Sequence, residues 1–267
     1  MSAPATVAGA ERIAAAFAGS GKRAALMPYL MGSFPDEAGS RAIGEAYADG
    51  GADLVELGVP FSDPIADGPV IQAAATAALR AGASVDGVLG VCESLAARLP
   101  VVLMTYANLV LARGVERFAA DAASAGASGL IIPDLPLEEA PATLAACDAA
   151  GLALVPLVAP TSTDERLARI GARARGFLYT VSVTGTTGER AALSDSFAQV
   201  VARAKACTDV PVALGFGIGS PEQALAAAEA GADGVIVGSR LVRAAAESDD
   251  PARAVRGLVS AFADALR

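Results

Sequence analysis

Ala48-Asp-Gly-Gly-Ala-Asp-Leu-Val55 decides the fold, because the chain uses the same joint four times. Its counterparts are Ser124-Ala-Gly-Ala-Ser-Gly-Leu-Ile131, Ala149-Ala-Gly-Leu-Ala-Leu-Val155 and Glu229-Ala-Gly-Ala-Asp-Gly-Val-Ile236. Each leads from the end of an alanine-rich helical segment, through a glycine suited to the left-handed position after a helix, into a short aliphatic run. Such a joint implies repeated β/α units. Working outward, apolar runs bounded by turn residues give eight candidate strands: near Ala25–Tyr29, Leu54–Gly58, Val101–Tyr106, Gly129–Pro133, Ala153–Val158, Phe177–Val181, Val212–Gly215 and Gly234–Gly238. Helical period marks Glu37–Asp49, Val70–Leu99 (two helices broken near Gly82), Val115–Ala125, Leu137–Ala150, Asp164–Ile170, Ser194–Cys207, Pro221–Ala230 and Ser239–Ala246. Ser220-Pro-Glu-Gln223 combines an N-cap serine, a proline in the first turn and a capping-box glutamine. Two further helices, Val7–Ala18 and Pro251–Leu266, flank the eight units. Eight alternations in 267 residues predict one α/β domain over residues 1–267, a (β/α)8 TIM barrel with an additional N-terminal helix. The rival is a doubly wound open sheet, but no Gly-x-Gly-x-x-Gly follows the first strand.

Composition narrows the chemistry. The chain is 54% hydrophobic and carries a net charge of −9 with an isoelectric point near 4.6. This balance argues against a nucleic-acid or anionic-membrane surface. No apolar run approaches the roughly 18 residues of a membrane span, and Met1 to Gly9 lacks the layout of a secretory signal. Three widely spaced cysteines, Cys92, Cys147 and Cys207, fit a reduced, cytoplasmic protein. There is no histidine, which excludes a Ser-His-Asp triad, a Cys-His pair and a histidine-based metal site. The only lysines, Lys22 and Lys205, fall before the first candidate strand and late in a helical segment, so neither is placed as a Schiff-base lysine. Catalysis must come from carboxylates, tyrosines, hydroxyls and backbone.

Leu54-Val-Glu-Leu-Gly-Val-Pro-Phe-Ser-Asp-Pro-Ile-Ala-Asp-Gly68 supplies the carboxylates. Strand side chains alternate, so Leu54, Glu56 and Gly58 share one face, and Asp67 is within reach through the loop. A buried carboxylate with a second one nearby suits acid/base work near neutral pH. The structural alternative is a buried Glu56 paired with arginine, yet no arginine lies between Arg41 and Arg80. Asp63 reads as a loop brace, and Asp67-Gly68 also reads as a turn. Asp134 falls at a strand end on the catalytic face, whereas Asp53 and Asp233 precede their strands and belong to the opposite face. In such barrels the loops after the seventh and eighth strands hold anions. Here these are Leu214-Gly-Phe-Gly-Ile-Gly-Ser-Pro-Glu222 and Val237-Gly-Ser-Arg-Leu241, glycine-rich and leading into helix N-termini. Tight βα turns alone would also explain these glycines. Ser182-Val-Thr-Gly-Thr-Thr-Gly-Glu-Arg190 is long enough for a lid or an ordinary surface loop. Tyr29, Tyr106 and Tyr179 at strand ends could be core or pocket wall.

With these residues in hand, the chain resembles the alpha subunits of tryptophan synthase. Leu54 to Gly68 is similar to that family's signature throughout, and further matches are Thr105-Tyr-Ala-Asn108, Ile132-Pro-Asp-Leu-Pro136, Tyr179 to Arg190, Gly215-Phe-Gly217 and Gly238-Ser239. One departure is Thr186, where an aliphatic residue is common. The resemblance implies retro-aldol cleavage of indole-3-glycerol phosphate to indole and glyceraldehyde 3-phosphate. It makes Glu56 the acid/base for indole C3 and the substrate hydroxyl, and Asp67 the carboxylate facing the indole N–H. Thr187 would order Asp67, while Gly188, Gly217, Gly238 and Ser239 would bind phosphate. Tyr29, Tyr106, Tyr179, Phe216 and Ile236 would line the indole and glycerol pocket. It further implies no cofactor on this chain and a pyridoxal-phosphate beta subunit as partner in an α2β2 heterotetramer, near the loops after the second and sixth strands. Three other functions compete: a stand-alone indole-3-glycerol phosphate lyase, a phosphosugar isomerase, epimerase or aldolase, and a non-catalytic regulatory subunit that binds a phosphate ligand.

Overall fold

The computed structural model describes residues 8–181, 190–215 and 217–267, without the side chains of 190–197. Nine strand segments form one parallel sheet: β1 (Ala25–Met31), β2 (Val55–Gly58), β3 (Val101–Met104), β4 (Gly129–Ile131), β5 (Ala153–Val155), β6 (Leu157–Val158), β7 (Leu178–Val181), β8 (Val212–Gly215) and β9 (Gly234–Val237). Their order is β5-β4-β3-β2-β1-β9-β8-β7-β6. Since β5 and β6 are consecutive in the chain, the two ends of this order meet and the sheet rolls into a barrel. The expected fifth strand is thus one stave in two pieces, divided at Pro156. Proline has no N–H to give to a ladder, but its carbonyl accepts from Tyr179 N at 3.0 Å. The lower piece pairs with β4 and the upper with β7.

Helices are α1 (Ala8–Gly19), α2 (Glu37–Asp49), α3 (Pro69–Arg80), α4 (Val85–Ala96), α5 (Ala107–Arg113), α6 (Val115–Ser124), α7 (Ala140–Ala150), α8 (Asp164–Gly171), α9 (Arg190–Lys205), α10 (Pro221–Glu229), α11 (Ser239–Ala246) and α12 (Pro251–Ala265). The glycines of the four repeated joints, Gly51, Gly126, Gly151 and Gly231, all have φ between +76° and +94°. Two expectations need correction. Pro251–Leu266 was expected outside the eight units, but α12 packs between α2 and α10 and takes the last place in the helix ring. The shorter α11 instead packs on α3 and β1. In addition, α5 was not foreseen. Its first N–H, from Ala107, is held by Asp134 Oδ1 at 2.9 Å, a cap supplied from 27 residues away.

The bottom of the barrel is sealed by α1. Gly9 N donates to Gly151 O at 2.9 Å, and a Cβ on Gly9 would lie 2.0 Å from Ser128 O, so only glycine permits this approach. Fully buried Ile13 reaches Gly129 and Gly176, while Phe17 packs against Gly234 and Phe177. Asp53 and Asp233 belong to this end, as expected. Asp53 accepts from Leu26 N at 2.7 Å and from Lys22 Nζ at 2.8 Å. Asp233 accepts from Val212 N and Lys205 Nζ, both at 2.8 Å. Both lysines are therefore structural. All three cysteines are free, and among the described residues no helix is long and apolar enough to cross a membrane.

Candidate active site

The opposite mouth opens into a cavity of about 1060 Å³ lined by Tyr29, Glu56, Asp67, Tyr179, Gly217, Ile236, Gly238 and Ser239, among others. The sheet sets most of these positions. Glu56 is the parallel-sheet partner of Tyr29 on β1 and of Val102 on β3, so all three project into the barrel. Tyr179 is likewise level with Leu157 and Ala213, and Ile236 with Met27.

Glu56 is 3% exposed, and among the described residues no arginine or lysine pairs with it. The structural alternative, a Glu–Arg core pair, is therefore absent among the described residues. Burial, and then the charge of Asp67, push the Glu56 carboxyl up to about 8. Asp67 is half-buried just before the Gly68 cap of α3. Burial raises it to about 6, opposed by a hydrogen bond from the Tyr106 hydroxyl. At neutral pH the strand carboxyl is mostly protonated and the loop carboxyl mostly ionised, which are the states an acid and an electrostatic partner require.

Tyr106 does more than line the wall. Its hydroxyl accepts from Ala66 N at 3.2 Å, and its ring stacks on Phe61 at 5.2 Å. The loop is pinned further by Asp67 N to Pro64 O at 3.0 Å and by Gln72 Nε2 to Asp67 O at 2.8 Å. The Asp63 carboxylate receives the neighbouring Ser62 hydroxyl and its carbonyl accepts from Ile65 N at 2.9 Å, in keeping with a brace, and Asp134 caps α5. Glycines set the width of the chamber. A Cβ on Gly58 would lie 2.0 Å from the Tyr29 hydroxyl oxygen, and one on Gly215 would lie 2.5 Å from that of Tyr179. The alternation of β2 places Gly58 on the face of Glu56, which is the only sequence signal for these notches.

Two strands round the barrel from Glu56, Gly238 precedes α11 without a side-chain cap, leaving first-turn N–H groups for an anion. Gly217 has φ +79°, and the turn behind it is fastened by Gln223 Oε1, which accepts from Gly219 N at 2.7 Å. The capping-box glutamine thus reaches one residue further back than expected. Arg240 and Arg243, which the sequence reading did not single out, also line the cavity and add positive charge. Thr187, Gly188 and Phe216 lie outside the described residues. Among the described residues no cluster of side chains could hold a metal ion.

Fold and site together define a class: a (β/α)8 barrel whose mouth carries a buried carboxyl and an uncapped helix N-terminus on one cavity. Residues 16–266 match the profile of the tryptophan synthase alpha chain family. The tryptophan synthase alpha chain of Prochlorococcus marinus (strain MIT 9313) is 50% identical over 223 residues, covering 83% of this chain and 81% of that one. That of Methanosarcina mazei is 48% identical over 229 residues, covering 86% and 84%. Among solved structures, tryptophan synthase from M. tuberculosis in an aminoacrylate- and BRD0059-bound form superposes with a TM-score of 0.87 at 41% identity, over 96% of this chain and 98% of that one. Tryptophan synthase subunit alpha from Legionella pneumophila gives 0.87 at 35% identity, with the same coverage. The chain belongs to the tryptophan synthase alpha chain family.

Proposed function

We propose that the chain cleaves indole-3-glycerol phosphate to indole and glyceraldehyde 3-phosphate, late in tryptophan biosynthesis, with Glu56 and Asp67 as its catalytic residues. Protonated Glu56 donates to indole C3, and the resulting positive charge on the ring is met by the Asp67 carboxylate at the indole N–H. The C3–C1′ bond then breaks as the C1′ hydroxyl proton passes to the Glu56 carboxylate. Its electrons restore the indole ring, and the oxygen leaves as the aldehyde. Glu56 ends protonated as it began, so no cofactor is consumed. The indole ring serves as electron sink, a task that would otherwise fall to a Schiff-base lysine or a metal. Gly217, Gly238 and Ser239 hold the phosphate; Tyr29, Tyr106, Tyr179 and Ile236 wall the indole and glycerol chain.

The observation that carries this reading is the placement of two neighbouring carboxyls on one cavity, Glu56 buried on its strand and Asp67 half-buried on its loop, where burial raises both. A non-catalytic binder has no use for a buried carboxyl with which no cation among the described residues pairs. Partnership with a pyridoxal-phosphate beta subunit in an α2β2 complex accords with two exposed apolar side chains. Ile65 in the β2–α3 loop is 81% exposed and Leu111 on α5 is 66% exposed. A cytoplasmic setting accords with the three free cysteines. The decisive experiment is an indole-release assay on the wild type and Glu56→Gln. The variant should lose nearly all turnover while still binding indole-3-propanol phosphate. Full turnover with weakened binding would overturn the assignment.

A further inference from the structure

Tyr29 lies where the substrate chain must pass. It sits on β1, between β9, whose end carries Gly238, and β2, which carries Glu56. A Cβ on Gly238 would be 3.7 Å from Tyr29 Cβ, and Glu56 is the direct sheet partner of Tyr29 on the other side. Two strand spacings separate β9 from β2, about 10 Å. A ligand with its phosphate at Gly238–Ser239 and its reacting carbon at Glu56 therefore drapes its three-carbon chain over Tyr29.

The phenol is built as a fixed donor. It is 5% exposed and lines the cavity, and among the described residues its hydroxyl reaches only the Met31 thioether, at 3.9 Å. Thioether sulfur is a weak acceptor, and a buried tyrosine hydroxyl normally has a better partner. Rotation is restrained because the hydroxyl rests in the notch at Gly58, and the backbone is held by Tyr47 Oη donating to Tyr29 O at 3.0 Å. Burial and the nearby carboxylates keep the phenol protonated, hence a donor, throughout the working range.

We infer that Tyr29 is a specificity-determining residue whose hydroxyl binds a hydroxyl of the glycerol chain, selecting a hydroxylated three-carbon linker between phosphate and indole. The inference rests on the functional reading above and adds a ligand contact to it. A site built to hydrogen-bond a ligand hydroxyl discriminates strongly once that bond is removed.

The test uses the full chain carrying Glu56→Gln, so that indole-3-glycerol phosphate is bound without turnover. Calorimetry gives Kd for this ligand and for indole-3-propanol phosphate, which lacks the chain hydroxyls, with and without Tyr29→Phe. The expected result is an affinity loss of about tenfold for the glycerol ligand and less than about twofold for the propanol ligand. Retained propanol-ligand binding also shows that the variant folds. Equal losses for the two ligands, or no loss for either, overturn the inference. If Tyr29→Phe does not fold, Tyr29→Met, which has no donor and is no larger than the phenol, is read by the same ratio. Failure of the wild type to release indole counts against the functional reading alone, since the binding comparison does not depend on turnover.

Discussion

Replacing Glu56 by glutamine should stabilise the barrel at alkaline pH, and the size of the effect follows from burial. The carboxyl titrates at 4.5 in an unfolded chain and at about 8 in the fold, raised first by desolvation and then by Asp67. A group raised on folding contributes stability that is complete below its unfolded value and is lost as pH climbs through its folded value. At about 1.4 kcal/mol per pH unit, the whole loss amounts to about 5 kcal/mol, of which about 3 kcal/mol falls between pH 5.5 and 9. Glutamine has no such titration. The stability of Glu56→Gln relative to wild type should therefore rise by about 3 kcal/mol over this interval, while titrating groups that do not interact with Glu56 cancel in the difference. Urea unfolding followed by circular dichroism at both pH values reads it. With a slope near 3 kcal/mol/M, the midpoint difference should widen by about 1 M. A difference constant to within 0.2 M would mean that Glu56 ionises normally in the fold, and the acid role assigned to it would lose its physical basis.

The same two carboxyls predict a bell-shaped kcat/KM for indole release. It should rise through about pH 6 as Asp67 ionises and fall through about pH 8 as Glu56 loses its proton. A rate flat from pH 6.5 to 9.5 would remove Glu56 as the acid. Gly58→Ala should lower kcat/KM about fivefold or more, because the new Cβ would meet the Tyr29 hydroxyl at 2.0 Å and overpacking of this kind costs about 1–3 kcal/mol; an unchanged kcat/KM would show that the notch does not set the site. Ile13→Ala at the sealed bottom should cost about 2–5 kcal/mol of stability with little change in activity per folded molecule. A cost below 1 kcal/mol by chemical denaturation would deny α1 its role as a plug.

The barrel was legible because its signals are local. Apolar runs, helical period and the joint glycines recur along the chain, and the eight staves fall where they were expected. What escaped depends on contacts distant in sequence. The aliphatic run Ala153–Val158 reads as one strand, and the role of Pro156 emerges only when β4 and β7 are known as its two neighbours. Nothing local tells which of α11 and α12 closes the ring, since both are helices after the same strand. Nor does the short α5 announce itself, because its cap comes from Asp134. In the site, Glu56 followed from alternation, whereas Tyr106 as anchor of the β2–α3 loop required a contact 40 residues away. Resemblance named Tyr106 and Tyr179 as wall residues. Their structural duties became visible only with coordinates.

The division of labour between the two carboxyls is a consequence of where each sits on the scaffold. Glu56 is on a strand inside a parallel barrel, where the sheet fixes its direction and packed neighbours exclude water on every side but the cavity. It cannot move to recover solvation, so its charged form is disfavoured most. Asp67 is on a loop, half-buried and close enough to Tyr106 to take a hydrogen bond that favours the anion. Strand and loop therefore separate the two carboxyls before any substrate arrives. Exchanging the two residues would not preserve this arrangement, because the asymmetry belongs to the positions: the rigid, dry one makes an acid, and the wetter, hydrogen-bonded one keeps an anion.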